Sequence, residues 1–391
     1  MDKFTVIITH YKQMNYIKES VLSVLNQEYR NIELIIADDG SPNFDKKKVE
    51  GIIKKYNKKR FEYKILDSKK NVGTVKNLNR AVKEATGNYI LFFAADDKLY
   101  DTRVINKFVE KFKNQNINVI TSQCLLYDEN LKKLYCKYVN PIKAFFMNKK
   151  STRYIYYKMA CGCLYGSGGT AYRNKVFKDY GFFDEKYPFV EDWSYWLKIL
   201  RQGEKIYYYN FNTLCHRDGG ISHSEYTSET LPAHVKQYYK DILNIYNNEI
   251  FPFFNQFKFY EKYKILIQYQ ETALYYSSFS PDLLHYLNIF NELKNQTKRM
   301  SIFWKITLLY RNFNKFIIKR IKILLKYNKT IISVFIIWLL FSLFLTNKLS
   351  INNNYIILLY ILSYFIIYII MNFIGNTIKF IKHRKTGGLN V

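Results

Sequence analysis

The stretch Tyr89-Ile-Leu-Phe-Phe-Ala-Ala-Asp-Asp-Lys98 reads as a buried strand that runs straight into two adjacent carboxylates, Asp96 and Asp97. Two acids beside an apolar run repel each other and are poorly solvated, so a metal ion or a ligand hydroxyl is the natural compensation. Capping of a following helix is the plain alternative, because an Asp there accepts the helix's free N–H groups. The sequence around the pair weighs on the choice. Short β-rich runs at Phe4–Thr9, Ile32–Ala37, Glu62–Leu66, Tyr89–Phe93 and Ile117–Ser122 alternate with helical spacing such as Ile17, Val21, Val24 and Leu25. That alternation predicts an α/β fold, a parallel sheet with helices on both faces. Such sheets bind ligands beyond the carboxyl ends of their strands.

Three strand ends carry polar groups: Thr9-His10-Tyr11, Asp38-Asp-Gly-Ser41 and Asp96-Asp97. They are expected to meet in one crevice. A carboxylate at the end of the second strand can accept from a nucleobase N–H or from ribose hydroxyls, and Gly40 permits a tight turn. A plain Asp-Gly turn is the other reading. Asn71-Val-Gly-Thr-Val-Lys-Asn77 opens a helix, and a glycine there with Lys76 one turn in could hold a phosphate. Glycines at helix starts are common, so this segment decides nothing alone.

The ordered set Val6-Ile-Ile-Thr-His-Tyr11, Asp38-Asp-Gly-Ser41, Asn71-x-Gly73, Lys76-Asn77, Gly87-x-Tyr89-Ile90 and Ala94-Ala-Asp-Asp97 resembles the GT-A glycosyltransferases of family 2 over roughly residues 3–225. The resemblance implies a Rossmann-like, mostly parallel sheet, a nucleotide-sugar donor with a UDP-sugar expected first, Mn²⁺ or Mg²⁺, and inversion at the anomeric carbon. It implies that Asp39 contacts the base, that Thr9 and Tyr11 border it, that Lys76 lies toward the phosphates, and that Asp96 and Asp97 serve the ribose and the metal. The family's motif often reads Asp-x-Asp-Asp, and Ala94 stands where the first acid would be. Which of Asp96 and Asp97 holds metal is therefore open.

Residues 124–165 give little pattern and suit a variable insertion on the acceptor side. Gly166-Ser-Gly-Gly-Thr-Ala-Tyr-Arg173 could let backbone approach a sugar through Gly168 and Gly169, or be an ordinary glycine-rich loop. Phe189-Val-Glu-Asp-Trp193 matches the family's Glu-Asp motif. Inverting transfer needs a base for the acceptor hydroxyl. Asp192 is expected in that role, with Glu191 orienting it or binding the acceptor, and the alternative is acidic capping of a first helical turn. Trp193 and Trp196 could stack on sugar, although their helical spacing with Leu197 and Leu200 suits a core. After a strand at Tyr207–Phe211, His216 is a candidate metal or diphosphate ligand and Arg217 a candidate counter-charge for the leaving group. His223 and His234 read as structural.

The formal charge is +28, yet residues 293–391 hold 16 Lys or Arg and no acid, which leaves +12 for the first 292 residues. Excess charge beside apolar segments points to an anionic membrane surface rather than to nucleic acid. Residues 298–329 have the spacing of a basic amphipathic interfacial helix. Residues 330–346 and 355–374 read as transmembrane helices, and 375–391 as a basic tail. Basic outer flanks predict that both ends are cytoplasmic. Residues 226–297 read as a helical extension. Five cysteines without metal-ligand spacing, and an N-terminus that leads directly into a strand, suit a reducing compartment and no secretion signal.

The expected protein is thus a multi-pass enzyme of the bacterial inner membrane with a cytoplasmic GT-A domain. It would transfer sugar to a membrane-associated glycan such as capsule or lipopolysaccharide. A polyprenyl-phosphate glycosyltransferase is the enzymatic rival, disfavoured because a phosphate acceptor needs no strong base. A basic membrane scaffold or nucleic-acid binder is the non-enzymatic one.

Overall fold

The computed structural model describes residues 1–218, 231–278 and 285–286. Within residues 1–296, one compact unit, a mixed sheet of nine described strands carries the fold. In chain order these residues form β1 (Phe4–His10), α1 (Ile17–Leu25), β2 (Ile32–Asp38), α2 (Lys46–Tyr56), β3 (Glu62–Leu66), α3 (Thr74–Glu84), β4 (Tyr89–Ala94), β5 (Lys98–Leu99) and α4 (Val104–Phe112). Then come β6 (Val119–Tyr127), β7 (Leu134–Lys137), α5 (Pro141–Asn148), α6 (Thr152–Ala160), β8 (Thr170–Arg173), α7 (Lys175–Tyr180), α8 (Glu191–Arg201), β9 (Ile206–Arg217), α9 (Ala233–Ile245) and α10 (Phe259–Ser277).

The sheet order is β3-β2-β1-β4-β8-β6-β9-β5, with β7 paired to β6. Strands β1 to β4 are mutually parallel, and β6 is parallel to β9. The sheet is mixed where a mostly parallel one was expected, through three strands: β8 runs antiparallel to both β4 and β6, β5 to β9, and β7 to β6. The apolar runs of β1, β2 and β4 are buried along nearly their whole length, as strands covered on both faces must be. Helix α1 buries Ile17, Val21, Val24 and Leu25, the stripe its spacing predicts.

Register sets the site. Thr9 pairs with both Ala37 and Ala94, and His10 with Asp38, so three strands end level. Immediately after Asp97 the chain turns into β5, whose Lys98 and Leu99 pair with Cys215 and Leu214 of β9. That two-residue strand brings the two acids beside His216. Sequence reading ended the last strand too early: β9 extends through Arg217, so His216 and Arg217 are strand residues rather than loop residues.

The insertion that gave no pattern holds β7, α5 and α6. Among the described residues no helix is long and apolar enough to cross a membrane. The interfacial helix expected at 298–329, the spans at 330–346 and 355–374, the tail, and His223 lie outside the described residues.

Candidate functional site

The end of β1 and the turn after β2 are welded by short polar contacts. His10 is buried; its Nδ1 lies 2.7 Å from Asp38 Oδ1, and its Nε2 accepts from the Gln13 N–H at 3.2 Å. An acceptor at Nε2 puts the proton on Nδ1, so the neutral imidazole donates to Asp38. Asp38 Oδ2 accepts from the N–H groups of Gly40 and Ser41, and the Ser41 hydroxyl bridges from Asp38 to the Lys12 N–H. Gly40 has φ of +71°, and a Cβ there would lie 2.3 Å from the Lys70 backbone, so the turn admits no larger residue.

Asp39 is buried and accepts from Val72 N–H at 2.8 Å and Gly73 N–H at 3.0 Å. It fixes the loop that leads into α3. Its carboxyl is raised by burial, against those two hydrogen bonds. Thr9 is half-buried, Tyr11 is exposed at the rim, and Lys76 is exposed on the first turn of α3. Sequence reading missed Arg80, whose Nη2 donates to the carbonyls of Asp38 and Leu66 and so ties α3 under the same turn.

Asp97 is buried and fully engaged by the protein. Its Oδ1 accepts from the Arg217 N–H at 2.9 Å, and its Oδ2 lies 2.9 Å from His216 Nδ1. Asp96 is different. Its Oδ1 is buried without a hydrogen-bond partner, the sole carboxylate oxygen in that state among the described residues. Burial, and then the charge of Asp97, push its carboxyl up to about 6. Burial lowers His216, but Asp97 and Asp96 outweigh it and the imidazole is raised overall.

A buried carboxylate oxygen without a hydrogen bond suits a cation ligand. Buried Glu33 of β2 is satisfied by the protein, accepting from Thr5 and from the Thr86 N–H and hydroxyl. Of the three candidate ligands, Asp97 holds His216 and Asp96 carries the unsatisfied atom. No group of three His, Cys, Asp or Glu side chains poised to hold a metal occurs among the described residues.

The role expected of Arg217 is corrected. Its guanidinium is buried, donating from Nε to Asp96 O at 2.9 Å, from Nη2 to Glu19 Oε2 at 2.9 Å and from Nη1 to Glu129 O, and it lies 4.2 Å over the Tyr16 ring. Every nitrogen is committed, so it clamps β9 to β4 and α1 rather than facing a leaving group.

Glu191 and Asp192 open α8, both half-buried. Asp192 Oδ1 accepts from the Trp193 N–H at 2.6 Å. Burial raises both carboxyls, and the charge of Asp192 raises Glu191 further. The preceding segment is anchored by a residue that sequence reading passed over: buried Asp241 of α9 accepts from the Phe189 N–H at 2.9 Å. Two tyrosines feel the charge of the acids. Tyr138, whose ring packs 5.8 Å from His216, is raised by burial and by nearby charge including Asp97. Tyr238 of α9 is raised by burial and then by Asp192.

Trp193 does not offer a sugar platform. It is buried, its ring set edge-on against Tyr246 at 5.2 Å and its Nε1 donating to Met159 O at 2.9 Å. The glycines of 166–169 also answer to packing. A Cβ on Gly169 would meet Ser122 O at 2.8 Å and Cys124 Sγ at 2.9 Å, and one on Gly168 would meet Leu214 at 2.5 Å. Gly169→Ala is expected to lower stability by about 1–3 kcal/mol through overpacking. Thermal unfolding checks it, and an unchanged melting temperature would return the glycine to a ligand role.

A mixed α/β sheet with acids beyond the carboxyl ends of its strands places them where such sheets take ligands. Residues 5–181 match the glycosyl transferase family 2 model. An uncharacterized glycosyltransferase of Rickettsia bellii is 30% identical over 236 residues, 60% of this chain and 32% of the relative. The chain therefore spans about a third of the first curated relatives it matches. The teichoic acid poly(glycerol phosphate) polymerase of Staphylococcus epidermidis is 34% identical over 114 residues, 29% of this chain and 15% of that protein. Among solved structures, S. aureus TarS with UDP-GlcNAc aligns at 18% identity and a TM-score of 0.44, covering 72% of this chain and 82% of its own. A mannosyltransferase of Pyrobaculum calidifontis aligns at 13% and 0.45, covering 77% and 81%. Scores at this level support no inference about ligands.

Proposed function

We propose that the chain transfers a sugar, with inversion, from a nucleoside-diphosphate donor to a hydroxyl of a membrane-associated glycan. The observation that carries this reading is the buried Asp96 oxygen left without a hydrogen bond after β4. Asp96 and Asp97 end β4 with an unsatisfied buried oxygen, and Glu191 and Asp192 open α8 with carboxyls raised toward the range useful to a general base. In this reading the His10–Asp38–Ser41 turn and Asp39 shape the nucleoside side, with Thr9 and Tyr11 at its rim and Lys76 toward the phosphates. Asp96 would hold a divalent cation, Mn²⁺ or Mg²⁺, with His216 steadied by Asp97. When bound, that cation supplies positive charge to the departing diphosphate. Asp192 takes the acceptor hydroxyl's proton, and Glu191 orients the acceptor.

A UDP-sugar is the first donor to test. A cell-surface polymer as acceptor is in keeping with the teichoic acid polymerase among the relatives. The apolar runs at 330–346 and 355–374 would hold the enzyme in the cell membrane with this unit in the cytoplasm. The anomeric configuration of the product, read by NMR, tests the mechanism: an inverted linkage is expected, and retention would overturn the role of Asp192.

Because a base works only when deprotonated, activity should be present above the pKa of Asp192 and lost as pH falls through it. Burial raises that carboxyl, so the acid limb of kcat/KM is expected above the ordinary Asp value of about 3.9. A limb at or below that value would contradict the assignment.

A further inference from the structure

The eight residues of α5 lie on the body of the sheet by one face only. Ala144 and Met147 are buried, and Asn148 exchanges two hydrogen bonds with the Tyr208 backbone of β9, 2.6 Å to its carbonyl and 2.8 Å from its N–H. The helix is thus fixed, and what it turns outward is fixed with it. Its outer face is apolar: Ile142 is 72% exposed, Phe145 57% and Phe146 56%. Three large apolar side chains on two turns of one helix make a contiguous patch, unlike singly scattered exposed apolar residues.

Along the chain, the charge that flanks the patch is of one sign. Lys149 Nζ sits 5.0 Å over the Phe145 ring, Lys150 follows it over Tyr154, and the chain has no acidic residue from 130 to 178. Apolar side chains bordered by lysines suit a surface whose interior is apolar and whose boundary is anionic. An acidic protein face would satisfy the lysines but would leave the outward rings against polar groups. The patch is also close to the site. Helix α5 begins three residues after Tyr138, whose ring packs against His216.

We infer that Ile142, Phe145 and Phe146, with Lys149 and Lys150, dock on an anionic lipid surface and set the mouth of the site against the bilayer. The docking rests on the proposed function in one respect, the location of the acceptor. It is a contact separate from the C-terminal apolar runs. With it, a lipid-borne acceptor enters beside Tyr138 without leaving the membrane surface.

The test places p-benzoylphenylalanine at position 145 of the full chain, reconstituted in phosphatidylcholine vesicles with or without phosphatidylglycerol, and a control at exposed position 51 on α2. Photolysis should give lipid adducts at 145 and not at 51. The yield should rise with phosphatidylglycerol, and Lys149→Gln with Lys150→Gln should reduce it by about fivefold per lysine. Adducts to the chain itself or to a second copy would show that protein covers the patch, and absence of adducts would show that water does. Either result overturns the inference. Adduct yield is read without turnover, so loss of sugar transfer with lipid adducts intact would count against the proposed function alone. Unaltered sugar transfer without lipid adducts would count against the docking alone.

Discussion

Asp192→Asn is expected to lower kcat by about 10²–10⁴-fold while donor affinity stays unchanged. The substitution keeps the side-chain shape and an oxygen able to accept the Trp193 N–H. What it removes is the basic oxygen. The helix start should therefore persist, and the loss should appear in turnover alone. Single-turnover kinetics beside a donor-binding titration separates the two, and unchanged turnover would sink the assignment. Glu191→Gln serves as the comparison: an orienting residue should alter acceptor KM more than kcat.

The second large effect is expected at the end of β4. Asp96→Asn should cost about 10²–10³-fold in turnover, comparable to losing a positioned electrostatic group, and chelation should mimic it reversibly. Its carboxylate makes no protein hydrogen bond through Oδ1, so the melting temperature should hardly move. Asp97→Asn should behave differently. Both of its oxygens are engaged, one by the Arg217 N–H and one at His216, so the change unpins the end of β9 as well as the site. Loss of activity together with loss of stability is the expected pattern. If the two variants behaved alike, the division of labour within the pair would be wrong, and activity insensitive to chelation would remove the cation.

The parallel core of the fold was legible because its strands are buried on both faces, and continuous apolar runs such as Val6-Ile-Ile8 and Ile90-Leu-Phe-Phe93 announce themselves. Strand β8 was not. Thr170-Ala-Tyr-Arg173 is four residues long, follows the glycines and pairs antiparallel to both neighbours, and nothing local encodes a reversal of direction. The acids were found because two carboxylates beside an apolar run are costly wherever they fall. Their partners were harder. Asp241 and Arg80 act on backbone groups distant in sequence, Phe189 and Asp38, and a single polar residue on a helix gives no sign of which loop it holds.

Arg217 shows the opposite failure. A basic residue beside a candidate ligand invites a role toward substrate charge, and only the geometry reveals that Asp96 O, Glu129 O and Glu19 already occupy its guanidinium. Trp193 was ambiguous for a similar reason, since an aromatic ring at helical spacing serves a core and a sugar platform equally well in sequence. Burial separates the two, and the ring is in the core.

The central claim of the proposed function is that Asp96, Asp97, His216, Glu191 and Asp192 serve sugar transfer from a nucleotide donor. Release of nucleoside diphosphate by the purified full chain tests it most directly, measured over a panel of UDP-, GDP- and other nucleotide sugars with bacterial membrane glycolipid as acceptor. The account predicts acceptor-dependent release from at least one donor, lost in Asp96→Asn and in Asp192→Asn. Release from no donor, or equal release by the wild type and both variants, would contradict it.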